Sequence, residues 1–158
     1  MTTTESRSGH GDGARAGYAA ALWSLLFALA HAVWAMGWYV GLPAEDARHW
    51  FQQTWFLVYD LIVAGMCIVA VFVALALVQS WGRRLPRRLL LFLGWGAAGL
   101  LGLRGLAGVI QGVYLIAFRG FKPNPMQLYD LWFCFGGALF GISVWHFARE
   151  TERAKLDS

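Results

Sequence analysis

Charged residues are scarce in this chain, and their scarcity indicates its class. Only 14% of the 158 residues are Asp, Glu, Lys or Arg, while 58% are hydrophobic. A soluble domain is usually about a quarter charged. The nine tryptophans and nineteen glycines belong to types that are frequent in membrane helices and at their interfaces. The composition therefore argues against a soluble domain and predicts an integral membrane protein whose first partner is the lipid bilayer.

Cysteines and catalytic motifs are also scarce. Cys67 and Cys134 lie in apolar runs without a CxxC pair, so we interpret them as small buried hydrophobic residues rather than as a disulfide framework. No HExxH, GxSxG or P-loop pattern occurs, and no GxGxxG has a strand-to-helix context. Because no two histidines can be placed at one depth on facing spans, a bis-histidine haem site is not indicated. We expect no cofactor and no metal.

Four apolar runs are long enough to cross a bilayer, which needs about 20 residues of helix. They are residues 17–40, 54–78, 89–118 and 128–147. The connections are short, which favours an all-α, up-down bundle of four transmembrane helices. Residues 1–16 are polar and are expected to form a disordered tail, not a signal peptide. Residues 148–158 form the second tail.

The basic residues predict the orientation of this bundle. Nine of the thirteen Lys and Arg residues fall in the two tails and the second loop, against three in the other two loops. The positive-inside rule then places both tails in the cytoplasm and the protein in the cell membrane. Because these residues lie at segment ends and not along one face, the formal charge of +4 does not indicate nucleic-acid binding.

Ionisable residues inside the apolar runs mark a candidate site. Arg104 lies near the middle of the third run, and His31, Asp60 and Asp130 fall in the other three. An arginine at the centre of a membrane helix costs roughly 2.5–3.5 kcal/mol on insertion scales, so it should face a partner in the bundle interior. Asp60 is the first candidate partner of Arg104, and Asp130 is the second, directly or through other polar groups.

Helical spacing places these residues on faces that are otherwise small or polar. Arg104, Gly108 and Gln111 share a face of the third span. Depths estimated from the helical rise place the ionisable residues in the outer half of the bilayer or at its centre. We therefore expect one polar site there, with histidine as a group that can change charge near neutral pH. Its candidate ligand- or ion-binding residues are His31, Asp60, Arg104, Gln111, Tyr114 and Asp130.

Three short motifs carry a resemblance to a known family. The segment from His31 to Gly37 reads His-x-x-Trp-Ala-x-Gly and is followed by Trp38. Arg104-Gly105 lies in the third span, and Asp130 stands in Tyr-Asp-Leu-Trp, which is followed by the pair Gly136-Gly137. This pattern resembles a family of small four-helix bacterial membrane proteins of unknown function. The resemblance implies four helices and the same His, Arg and Asp positions, and it implies no activity.

The sequence leaves the function open between three classes. The first is a non-enzymatic membrane protein that binds or passes a small molecule or ion, or serves as an accessory subunit. The second is a membrane-embedded enzyme that acts on a lipid or isoprenoid, with His31, Asp60 or Asp130 as acid or base. The third is a structural subunit of a larger complex, in which the charges only set helix register. A transport role would favour a homo-oligomer.

Overall fold

The fold is all-helical throughout the part of the chain that the computed structural model describes, residues 5–120, 122 and 127–156. Its α-helices are α1 (Glu5–Ala35), α2 (Ala44–Phe51), α3 (Thr54–Val78), α4 (Arg87–Arg119) and α5 (Gln127–Leu156), and a 3₁₀ turn covers Ser80–Arg84. Four of them, α1, α3, α4 and α5, are long and apolar enough to cross a membrane. These helices confirm the predicted all-α class and the four candidate spans.

A glycine ends the first long helix earlier than the apolar run predicted. Gly37 has a φ of 89°, in the left-handed region. Its N–H donates to the carbonyl of Trp34, and the N–H of Trp38 donates to the carbonyl of Val33. This is the Schellman arrangement that glycine favours one position beyond a helix. The helix α1 thus ends at Ala35, five residues before the end of the predicted span of residues 17–40.

Helix also extends into both predicted tails. Residues 5–16, expected to be a disordered tail, continue α1, and α5 runs on to Leu156. Two glycines explain the first difference: a Cβ at Gly13 would meet His146 at 2.7 Å, and a Cβ at Gly17 would collide with Val78. Such close packing stabilises a segment whose composition alone favours disorder. Residues 1–4 and most of the break around Pro123 and Pro125 lie outside the described residues.

The chain divides into two compact units. The first consists of residues 1–20 and 73–158. Within it α4 and α5 run antiparallel, because Arg87 at the start of α4 contacts Thr151 near the end of α5. At the other end, Gly112 packs against Gln127. The side chains of Leu90, Phe140 and Val144 are almost completely buried and form the centre of this unit's core.

The second unit consists of residues 21–72. It contains the later part of α1, the short helix α2 and most of α3. The buried side chains of its α1 segment recur every three or four residues, as on one face of a helix. They are Ala21, Trp23, Ser24, Phe27, Ala28, His31 and Trp34. On α3, Asp60 and Cys67 are buried, seven residues apart on one helical face.

Candidate functional site

A histidine and an aspartate from two apolar helices are in direct contact. Nδ1 of His31 lies 2.6 Å from Oδ1 of Asp60, and the two side chains are only 10% and 3% exposed. An ionised carboxylate can only accept hydrogen bonds, so beside it Nδ1 carries the hydrogen and donates it to Oδ1. The contact therefore selects one tautomer of His31, with the lone pair on Nε2.

Each member of this pair has one further polar atom without a partner. Nε2 of His31 and Oδ2 of Asp60 are buried and make no hydrogen bond with the described residues. Leaving a buried polar atom unsatisfied typically costs about 1–3 kcal/mol. With the hydrogen on Nδ1, both atoms are acceptors. The pair can therefore bind a proton or another hydrogen-bond donor.

Aromatic rings enclose the imidazole. The ring centroid of His31 lies 4.8 Å from that of Phe27 and 4.9 Å from that of Trp34, both in edge-to-face geometry. Trp34 is itself held by its indole N–H, which donates to the carbonyl of Val40 at 2.9 Å. Rings at four and three residues from His31 lie on its own face of α1. The neighbouring sequence thus fixes the orientation of the histidine.

The second ion pair joins α4 to α5. Nη1 of Arg104 donates to Oδ1 of Asp130 at 2.7 Å, with side chains 54% and 12% exposed. The guanidinium also lies 5.1 Å from the ring centroid of Phe133, a cation–π contact. Within the described residues one hydrogen bond joins the two side chains, and the Arg104 side chain as a whole stays about half exposed. The aspartate of this pair is therefore mostly buried, whereas the arginine remains partly exposed.

Glycines on α4 make room for this pair. A Cβ at Gly108 would overlap the carboxyl group of Asp130, and a Cβ at Gly105 would lie 2.6 Å from the backbone nitrogen of Cys134. Further along, a Cβ at Gly137 would lie 2.8 Å from the nitrogen of Gly102. Small residues let two membrane helices approach closely. The predicted small-residue faces of these two spans do meet each other.

The structure gives Arg104 the second of its two expected partners. Asp60, the first candidate, pairs with His31, and Asp130 pairs with Arg104 directly. The depths estimated along the helices favoured Asp60, and this ranking was wrong, because the choice of partner depends on which helical faces pack together. Gln111 is exposed, and Tyr114 is exposed and packs against Phe118 with ring centroids 5.5 Å apart. Within the described residues neither forms a hydrogen bond with Asp130.

The four ionisable residues thus form two pairs, one within each compact unit. A single shared site stays a prediction. The described residues contain no group of three His, Cys, Asp or Glu side chains able to hold a metal ion. Sequence reasoning missed two aromatic neighbours of these pairs, although helical spacing could have indicated both. Phe27 lies four residues before His31, whose ring it contacts. Phe133 lies three residues after Asp130 and contacts Arg104, the partner of that aspartate.

Replacing Arg104 by leucine is expected to destabilise the protein by on the order of 1–3 kcal/mol, because the Asp130 carboxylate loses its donor while 88% buried. Exposure of the guanidinium limits the effect. The double variant Arg104→Leu/Asp130→Asn should recover part of this loss, measured as the free energy of unfolding in mixed micelles. A double variant that is less stable than the sum of both single effects would contradict the pairing.

Comparison with known proteins shows which family the chain matches. A family model described as a protein of unknown function, DUF3995, matches residues 24–140. This segment includes both ion pairs and all six candidate site residues. The match agrees with the resemblance drawn above from the motifs around His31, Arg104 and Asp130. No curated protein and no solved structure matches the chain.

Proposed function

The chain belongs to the DUF3995 family of proteins of unknown function. From the chemistry of its buried groups we propose that it is a non-enzymatic membrane protein that reversibly binds a proton at the His31–Asp60 pair. One observation carries the proposal: in a buried, hydrogen-bonded histidine and carboxylate on two apolar helices, Nε2 and Oδ2 have no hydrogen-bond partner among the described residues. Ionisable residues inside membrane spans mark ion or substrate sites more often than inert structure.

The enclosure of the imidazole favours a proton over a larger ligand. Rings of Phe27 and Trp34 pack within 5 Å of the imidazole centroid, so a proton, which needs no added room, fits this site best. Protonation of Nε2 changes the pair from a net charge of −1 to neutral. In apolar surroundings a neutral ion pair is less costly than a lone charge. Binding of a proton therefore balances the charge of the pair and gives Nε2 of His31 a hydrogen.

Within residues 21–72, Asp60 is the charged residue in contact with His31. The other charged side chains within residues 21–72 are Glu45, Asp46 and Arg48, all exposed on α2. On α3, the neighbouring Tyr59 is exposed and Cys67 is buried two turns away from Asp60. A positive charge on His31 would therefore be balanced within this unit by the Asp60 carboxylate, which supports a pair that works as a unit.

The pair also lies near one end of its helices. His31 is four residues from the end of α1, and Asp60 is six residues from the start of α3. At a rise of about 1.5 Å per residue these positions are roughly 6–9 Å from the helix ends. A proton can reach this depth from one membrane surface along a short path. The early end of α1 makes the site shallower than the apolar run predicted.

Nuclear magnetic resonance of ¹⁵N-histidine-labelled protein in lipid nanodiscs tests the proposal. We expect Nδ1 of His31 to remain protonated while Nε2 gains a proton reversibly as the pH is lowered. His31→Gln identifies the resonances by their loss, since glutamine keeps a polar group but cannot titrate. His49→Gln removes an exposed histidine and serves as the matched control.

Asp60→Asn provides the second arm of this experiment. Asparagine keeps the size and polarity of the aspartate but not its negative charge, so the Nε2 resonance of His31 in this variant should differ from that of the unchanged protein if the carboxylate takes part in proton binding. An Nε2 resonance that keeps one protonation state at every pH at which the protein stays folded would rule out the proposed proton site. The structural and enzymatic alternatives would then gain support.

A further inference from the structure

Four helix ends meet at one end of the first compact unit. Nε of Arg87, at the start of α4, donates to Oγ1 of Thr151 on α5 at 2.7 Å. A second guanidinium nitrogen donates to the carbonyl of Ala148 at 3.3 Å. The α1 segment joins them, because Gly13 packs against His146 and Gly17 against Val78. We call residues 11–20, 79–88 and 145–154 the basic end.

Arginine dominates the charge of the basic end. It holds seven arginines and three carboxylates. Arg15 pairs with Asp12 at 3.8 Å, and Arg87 pairs with Glu152 at 3.5 Å. Arg87 is engaged by α5, whereas the other arginines are exposed. These are Arg15, Arg83, Arg84, Arg88, Arg149 and Arg153. The surface therefore carries more guanidinium groups than its own acids can neutralise.

Tryptophans indicate the depth at which these arginines lie. Trp81 precedes Arg83 and is 36% exposed, and Trp145 is 42% exposed. The guanidinium carbon of Arg149 lies 3.7 Å from the centroid of the Trp145 ring. Directly after Arg88 the apolar part of α4 begins with Leu89 and Leu90. Amphipathic rings beside apolar spans occupy the level of lipid headgroups, and lipid phosphates lie at this level.

From this placement we propose that the basic end binds the phosphate headgroups of anionic phospholipids. The planar guanidinium presents a fork of donors that matches phosphate oxygens. Clustered arginines beside a membrane span also raise the local concentration of anionic lipid. Bilayer phosphate is the source to which the proposal commits, since the arginines border apolar helices. This surface consists of residues other than the His31–Asp60 pair, so either proposal can fail alone.

Spin-labelled lipids measure this preference directly. The protein is reconstituted in phosphatidylcholine bilayers with spin-labelled phosphatidylglycerol or phosphatidylcholine, and electron paramagnetic resonance gives the fraction of each lipid held at the protein. We expect a several-fold preference for phosphatidylglycerol. Arg83→Gln/Arg84→Gln should reduce this preference towards one, because an arginine near the bilayer surface contributes up to about fivefold. Arg119→Gln/Lys122→Gln, also exposed but at the opposite end of α4, should leave it unchanged.

Two results would overturn the proposal. One is an equal loss of preference in both double variants, which would mean that net charge alone attracts the lipid. The other is displacement of labelled phosphatidylglycerol by inorganic phosphate at constant ionic strength, which would indicate a site for free phosphate. Unchanged helical content and melting temperature in both variants would ensure that lipid binding, and not folding, is compared.

Discussion

Replacing His31 by leucine is expected to lower the free energy of unfolding by about 3–5 kcal/mol, the usual cost of removing one partner of a buried pair. The Asp60 side chain is only 3% exposed, and its Oδ2 already has no hydrogen-bond partner in the part of the chain that the structure describes. In the variant Oδ1 loses its donor as well. Reversible unfolding by sodium dodecyl sulfate in mixed micelles, followed by far-ultraviolet circular dichroism, measures the loss.

The control for this change is His49→Leu, on the exposed surface of α2. It should change stability by no more than about 0.5 kcal/mol. The double variant His31→Leu/Asp60→Leu should be more stable than His31→Leu alone, because it removes the unpaired carboxylate together with its partner. If His31→Leu were no more harmful than His49→Leu, the pair would contribute nothing to the fold.

Gly108→Ala is expected to destabilise the contact between α4 and α5 by about 1–3 kcal/mol, the usual range for overpacking. The added Cβ would occupy the position of the Asp130 carboxyl group. Because backbone atoms of α5 also lie close to α4 at Gly105, Asp130 cannot retreat without moving the helix. The variant should therefore separate Asp130 from Arg104 as well as lower the free energy of unfolding.

The same helix offers a matched control in Gly99→Ala. A Cβ at Gly99 meets nothing within 4 Å, and alanine favours helix over glycine by up to about 1 kcal/mol. We expect unchanged or slightly increased stability. In the Arg104→Leu background Gly108→Ala should cost less, because the ion pair is already lost. Equal effects of the two glycine changes would show that the space at Gly108 is not specifically required.

Helix boundaries illustrate what can be predicted from composition and what cannot. The span of residues 54–78 agrees with α3, Thr54–Val78, because glutamines border both ends of an apolar run in which Asp60 is the only charged residue. The first span differs at both ends. Its early end depends on the backbone conformation of Gly37, which a hydropathy window does not register. Its extension to Glu5 is accompanied by contacts of Gly13 and Gly17 with distant parts of the chain.

The amino-acid sequence by itself determined the class, four apolar helices, and the residues that are costly in such helices: His31, Asp60, Arg104 and Asp130. The length of an apolar run and the free-energy cost of a charged residue within it depend on neighbouring residues in the chain, so both can be predicted from the sequence. Only the tertiary structure decided the pairing of His31 with Asp60 and of Arg104 with Asp130. Which carboxylate meets which cation depends on the faces at which helices approach, and glycines such as Gly108 permit that approach only between particular faces.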